Sequence, residues 1–329
     1  MYQPDTYAIT LLCMLTSMLC WGSWANTVKL APGYRFQLFY WDYVAGLLMG
    51  AVLWGVSLGS WGSTGLGFFA DLRHCDARHI LFATLAGIIF NVANLLLVAA
   101  IDIAGLAVAF PVGIGIALVV GAVSSYLVTP EGNAKLLFGG IVLVLAAIVC
   151  DALAYRERER QRSAMSRRGV VISVISGLLM GSFYPFVAKA MSGATAPGPY
   201  AVAFYFAIGV LICSVPFNAL LMRRPLDGSA PVAMRGYFEA PFRWHFWGIL
   251  GGAIWCTGAV LNFVASGLHF VGPAVSYSIG QGATMISAAW GVFVWHEFAN
   301  APRRSRMFLV WMFVLFLIGL GAVALAPII

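Results

Sequence analysis

Long apolar runs alternate along this chain with short stretches that hold most of the charged residues. A helix that crosses a bilayer needs roughly 20 predominantly apolar residues. On that measure the pattern predicts ten spans, at 7–28, 37–58, 79–101, 104–127, 135–155, 169–190, 200–222, 245–267, 271–295 and 306–327. The third and fourth are divided only by Asp102 and the region of Gly105. Two connections are long. Residues 59–79 are rich in Gly and Ser, and residues 223–244 hold Pro225, Asp227, Gly228, Pro231 and four arginines.

Composition agrees with the pattern. Of 329 residues, 61% are hydrophobic and 9% charged, and the mean hydropathy is +0.90. A soluble domain carries roughly 25% charged residues, so the fold class expected is an all-α, multi-pass membrane protein embedded in a lipid bilayer. The net charge of +7 does not point to nucleic acid, because the basic residues sit between apolar runs. The N-terminal MYQPDTY lacks the basic stretch of a cleaved signal peptide, so the first run is expected to be a retained span. The six cysteines form no Cys-x-x-Cys pair and read as small packing residues rather than metal or redox groups.

Charge sets the expected orientation. One side of the ten spans collects fifteen Lys and Arg and the other four, namely Arg73, Arg78, Lys135 and Lys189. Positive loops stay in the cytoplasm. The basic side is therefore expected to be cytoplasmic, with both termini outside, in a plasma or inner cell membrane. The strongest contribution is the run Tyr155–Arg168, six of whose residues are basic. The Arg-Glu alternation in it reads as an extension of the fifth span into solvent with paired charges.

That run divides the chain into residues 1–154 and 169–329, each with five predicted spans. At an offset of 167, Gly105-Leu-Ala-Val-Ala-Phe-Pro-Val-Gly-Ile-Gly115 faces Gly272-Pro-Ala-Val-Ser-Tyr-Ser-Ile-Gly-Gln-Gly282 without a gap. Gly22-Ser-Trp24 resembles Gly181-Ser-Phe183, and Phe39-Tyr40 resembles Phe204-Tyr205. Two repeats with an odd number of spans must run in opposite directions, the plan on which many secondary carriers build alternating access about a central site. Residues 155–168 then form the linker between inverted repeats. The glycines also fit close helix packing, the simplest reading of Gly46/Gly50, Gly55/Gly59 and Gly177/Gly181.

Polar groups inside spans are costly and usually face a cavity or a partner helix. Candidate substrate-binding residues are Trp21, Ser23, Trp24 and Asn26 in span 1, Tyr40 in span 2, Asn94 in span 3, Tyr184 in span 6, and Tyr277 and Gln281 in span 9. Aromatic faces stack on a flat ring, and amides and hydroxyls pair with its edge. The set suits a neutral, planar, hydrogen-bonding solute, although aromatics also form interfacial belts and core packing. Asp42 is the candidate proton carrier; the alternative is a fixed ion pair with Lys29 or Arg35. Glu297, Asp102 and Asp151 fall at span ends and read as caps. Pro185, with Gly181 nearby, and Pro111 predict kinks or unwound backbone in spans 6 and 4. No phosphate loop, zinc-protease motif or paired metal spacing is present, so neither a cofactor nor an enzymatic role is expected.

A family resemblance adds to this. SGLLMGSFYPFVAKAM at 176–191, PYAVAFYFAIGV at 199–210, FNALLMRRPLDG at 217–228 and WGVFVWHEF at 290–298, followed by Arg303, Arg304, Ser305 and Arg306, resemble the plant ureide permeases. Trp21-Gly-Ser-Trp24, Tyr40-x-Asp42-Tyr43 and Asn94-Leu95 resemble that family's first-half motifs, with Ala93 in place of a glycine. The resemblance implies the drug/metabolite transporter superfamily, ten helices, and proton-driven movement of allantoin, uracil or xanthine. It also implies a longer central cytosolic region with a nucleotide-loop-like motif, for which this chain has no room. The expectation is a proton-coupled carrier for a small neutral oxo-heterocycle, driven by the proton gradient. A glucose- or rhamnose-type sugar porter of the same superfamily is the alternative, and a non-transporting receptor or scaffold is a third reading.

Overall fold

The structure is a computed structural model that describes residues 1–158 and 166–329, apart from the side chains of Leu106 and Ala107. Among the described residues every regular element is helical. In chain order they are α1 (Tyr7–Ser23), α2 (Asn26–Lys29), α3 (Phe36–Val56), α4 (Phe68–His74), α5 (Ala77–Ala104), α6 (Leu106–Val128) and α7 (Ala134–Arg158). There follow α8 (Arg167–Ala190), α9 (Pro199–Arg223), α10 (Arg235–Phe238), α11 (Phe242–Ser266), α12 (Gly272–Gly280), α13 (Ala283–Ala289), a π-helical turn (Trp290–Val294) and α14 (Arg303–Leu325). Nine helical stretches among the described residues are long and apolar enough to cross a membrane, the first being α1 and α2 taken together.

The helix ends have local causes. Thr6 caps α1 and Asp76 caps α5, each side chain accepting a bond from a backbone N–H of the first turn. The narrow gap expected between spans 3 and 4 is one residue, Gly105, with φ of 80°. That value suits glycine and ends α5 sharply. The two long connections carry the short helices α4 and α10. The central basic run lies partly outside the described residues, at 159–165; Tyr155–Arg158 extends α7, and Arg167 and Arg168 open α8.

Two expectations change. Residues 271–295 are not one helix but α12, α13 and the π turn. The break at Gln281 and Gly282 is closed by tight turns, with Gly282 N–H bonded to Ile279 O at 2.9 Å and Met285 N–H to Gly282 O at 2.9 Å. Glycines at 280 and 282 lower helix propensity there. Conversely, Pro185 and Pro111 lie inside the continuous helices α8 and α6. The interrupted backbone expected in span 6 is found in the ninth region instead.

Packing runs across the two halves. α7 lies on α14, α5 on α8 and α9, α3 on α9 and α11, α1 on α11, α12 and α13, and α6 on α8 and α12. Glycine brings the backbones together. A Cβ at Gly46 or Gly252 would strike the backbone of Ile249 or Tyr43 across the α3–α11 contact, and one at Gly87 or Gly209 would strike Phe206 or Thr84 across α5–α9. Close approach through small residues is how helices associate where lipid removes the hydrophobic drive between them.

Candidate functional site

A cavity of about 390 Å³ lies where α1, α2, α3, α5, α6, α8, α11, α12 and α13 converge. Its walls are aromatic, formed by Trp21, Trp24, Phe36, Phe90, Phe110, Phe183 and Trp255. These rings hold each other. Trp21 stacks on Trp255 at 5.8 Å and 19°, and Phe90 lies 4.2 Å from Trp255 between centroids. Trp21 also donates from Nε1 to Trp255 O at 3.2 Å. It is seated between two glycines: a Cβ at Gly280 would come within 2.5 Å of its ring and one at Gly258 within 2.7 Å. Trp24 leans on Tyr43 at 4.8 Å.

Against this apolar slot stands a short polar stripe. Gln281, Thr284 and Ser287 share the wall, three residues apart around the α12–α13 junction. Gln281 is 9% exposed and Thr284 3%. Among the described residues neither side chain has a hydrogen-bond partner. Asn94 donates from Nδ2 to Tyr40 Oη at 3.3 Å, and its carbonyl oxygen has no partner among the described residues. Polar groups inside a span are normally satisfied by the protein or face a cavity, and these line one. Several such groups on one wall therefore form a ready edge for a hydrogen-bonding ligand. Lys29 brings a charge to the wall.

Four of the candidate binding residues stand on this wall: Trp21, Trp24, Asn94 and Gln281. The others lie behind it. Tyr40 donates to Asn91 Oδ1 at 2.9 Å and supports Asn94. Ser23 Oγ accepts from Trp290 Nε1 at 2.8 Å, and Asn26 Oδ1 from Trp295 Nε1 at 2.6 Å, so both tie α1 and α2 to the π-helical region. Tyr184 and Tyr277 are fully buried; Tyr184 bonds Asn262, and Tyr277 donates to Ala117 O at 3.1 Å. Phe90, Phe183, Trp255, Thr284 and Ser287 escape a reading by residue type, because apolar rings and small hydroxyls are common in any span. The three-residue spacing from Gln281 is the sequence signal that could have found the last two.

Asp42 lies away from the cavity wall and is 1% exposed. The ion pair with Lys29 or Arg35, the alternative to a proton carrier, is not formed. Its carboxylate accepts from Tyr237 Oη at 2.7 Å, Tyr34 Oη at 2.9 Å and His245 Nδ1 at 3.0 Å. Burial and then the adjacent carboxylate push both phenols well above their usual range, so they remain donors. Arg35 instead reaches Ser229 Oγ at 2.8 Å, and Lys29 reaches Glu297. The sequence failed here because Tyr237 and His245 are about 200 residues from Asp42.

Glu297 is more than a helix cap. Its two oxygens hold Lys29 Nζ at 2.6 Å and Arg158 Nη1 at 3.0 Å, and Tyr155 Oη donates at 3.4 Å. Burial raises its carboxyl, but the two cations outweigh that and hold it below the ordinary range. Asp151, also expected at a span end, is buried within α7, with Oδ1 unpaired among the described residues.

Comparison with known proteins agrees with this architecture. A family model described as sugar transport protein matches residues 12–328. Ureide permease 1 of Arabidopsis thaliana is 21% identical over 98% of this chain and 97% of its own length. Ureide permeases 2 and 4 of the same plant are each 22% identical, over 96% of this chain and 96% of theirs. A solved crystal structure matches with a TM-score of 0.60 over 94% of this chain and 96% of the other, at 14% identity, which shows a shared fold alone.

Proposed function

The chain belongs to the sugar transport protein family, with ureide permeases among its relatives, and on that premise we propose that it is a secondary carrier for a small, uncharged, planar oxo-heterocycle such as allantoin or uracil. One observation carries the reading: the side chains of Gln281 and Thr284 and the carbonyl oxygen of Asn94, without hydrogen-bond partners among the described residues, line an aromatic slot of about 390 Å³. A flat ring stacks on Trp21, Trp24 or Trp255 while its carbonyls and N–H groups meet the amides and hydroxyls. The full-length similarity to ureide permeases supports the same solute class over a sugar.

Ten crossings arranged as two inverted five-helix repeats, residues 1–154 and 169–329, are part of the proposal. The packing supports it, because contacts between the halves come in corresponding pairs. The α5–α8 contact corresponds to α1–α11, and α5–α9, closed by Gly87 and Gly209, to α3–α11, closed by Gly46 and Gly252. With the basic end in the cytoplasm, the cavity opens inward, and Tyr184 and Tyr277 occlude the outer half. Alternating access then exchanges the open and closed ends.

Proton coupling is assigned to Asp42 together with His245. A carboxylate-imidazole pair, 19% and 2% exposed at the His and Asp side chains, binds a proton at the basic end. The test is uptake into proteoliposomes under an imposed pH gradient, with allantoin, uracil, xanthine, glucose and rhamnose as solutes. Accumulation of an oxo-heterocycle that Asp42→Asn abolishes, with solute exchange retained, is the expected result. Accumulation of a sugar alone overturns the solute assignment, and an unaltered Asp42→Asn variant makes that residue structural. No accumulation of any solute favours a receptor.

A further inference from the structure

The cavity wall carries a cation that no amide or aromatic recognition requires. Lys29 lines the cavity along with Trp21, Trp24 and Val28 of the α1–α2 segment. Its ammonium is not free. Glu297 Oε1 is 2.6 Å from Nζ, and the Trp295 ring centroid is 4.9 Å from it. Glu297 is in turn held by Arg158 at 3.0 Å. The carboxylate sits at a built position. It follows a π-helical turn, and His296 just before it has φ of 51°, uncommon for a residue with a side chain. Such local outliers persist where the surroundings over-determine them, and they concentrate at functional sites.

We infer that Lys29, countered by Glu297, sets the charge selectivity of the cavity: it offers a hydrogen bond to a carbonyl oxygen of the solute while the paired carboxylate offsets its charge at the wall, so that uncharged oxo-heterocycles are favoured over their carboxylated analogues. An ammonium has three donors. Glu297 takes one and Trp295 covers another side, which leaves donor capacity toward the wall that Lys29 helps to form. An unpaired lysine in a cavity of low polarity would attract anions strongly; a carboxylate within hydrogen-bond distance cancels most of that field beyond a few ångströms. The inference rests on the oxo-heterocycle reading of the same cavity and adds the residue pair that decides between neutral and anionic members of that class.

The test is equilibrium binding to the purified full-length protein in detergent at neutral pH, read by quenching of tryptophan fluorescence. Trp21, Trp24 and Trp255 line the cavity and report on it. The probes are uracil, which is uncharged, and its 6-carboxylate, a monoanion. The quantity is the ratio of the two affinities, which a purely structural role for the ion pair would not move. Wild type favours uracil. Glu297→Gln shifts the ratio toward the carboxylate by about tenfold or more, because the lysine charge is no longer balanced. Lys29→Met shifts it the other way, so one variant decides the question if the other fails to fold. A ratio that moves in neither variant, with uracil still bound, overturns this inference and leaves the solute class intact. Failure of wild type to bind either probe overturns the oxo-heterocycle reading itself, and this inference with it.

Discussion

Glu297 shows how one residue gains a role from its neighbours. In sequence it follows Trp295-His296 at the end of an apolar run, where a charge is cheap. In the structure it joins Lys29 of the first half to Arg158 at the end of α7. Its carboxyl is held below its ordinary range, so the stabilisation is present above the unfolded-state value and is lost as pH falls through the lower folded one. The ordinary value for Glu is about 4.3. Wild type should therefore exceed Glu297→Gln in thermal stability at neutral pH, and the difference should shrink as pH drops below about 4.3, as melting curves across pH would read. The pair is partly solvated, with side-chain exposures of 46% and 23%, so the difference should be modest, about 1 kcal/mol. Asp42 makes the same point: its residue type marked it, but Tyr34, Tyr237 and His245 give it its setting.

At the scale of the element, the interrupted region α12–α13 does most to shape the site. An unbroken helix over 271–295 would satisfy its own backbone but would not bring Gly280 onto the Trp21 ring with Gln281 and Thr284 on the adjoining wall. The tight turns at Gln281 and Gly282 do that. Gly280→Ala places a methyl 2.5 Å from Trp21, so it should displace the indole and weaken solute binding by tenfold or more while overall helicity, read by circular dichroism, stays the same. At Gly252 the obstacle is the Tyr43 backbone rather than a movable ring. Gly252→Ala should accordingly destabilise the whole protein, by about 1–3 kcal/mol, seen as a lowered melting temperature. Four-residue spacing marked Gly46 for packing, but its counterpart Gly252 across the α3–α11 contact and the seat of Trp21 on Gly280 come from the structure alone.

Over the whole molecule, the paired contacts and the charge bias make a joint prediction about placement. With the basic end in the cytoplasm, a single cysteine at Ser229 in a cysteine-free background should react with an impermeant maleimide only in inside-out vesicles. A cysteine at Thr195, near Asp76 on the other end, should react only from the outside. Labelling of Thr195→Cys in inside-out vesicles alone would reverse the orientation, and with it the direction in which the cavity opens. Thr195 is exposed and Ser229 half-buried, and both lie in connections between spans, so the side from which the reagent arrives sets the result.

Much of this was legible in the chain. The spans follow from runs near 20 residues, because an apolar helix is the form in which a backbone crosses lipid with its polar groups satisfied. The aromatic and amide character of the site, including Trp21, Trp24, Asn94 and Gln281, could be read because such groups are scarce and conspicuous in apolar runs. What the chain did not show is which of them meet. Tyr184 and Tyr277 carry the same chemistry as wall residues yet are spent on Asn262 and Ala117 inside the packing. Phe90, Phe183 and Trp255 become walls only because α5, α8 and α11 converge, and His245 reaches Asp42 only because α11 lies on α3. Residue type fixes what a group can do and local periodicity fixes which helix carries it, whereas its partner depends on contacts between helices far apart in sequence, which only the tertiary structure decides.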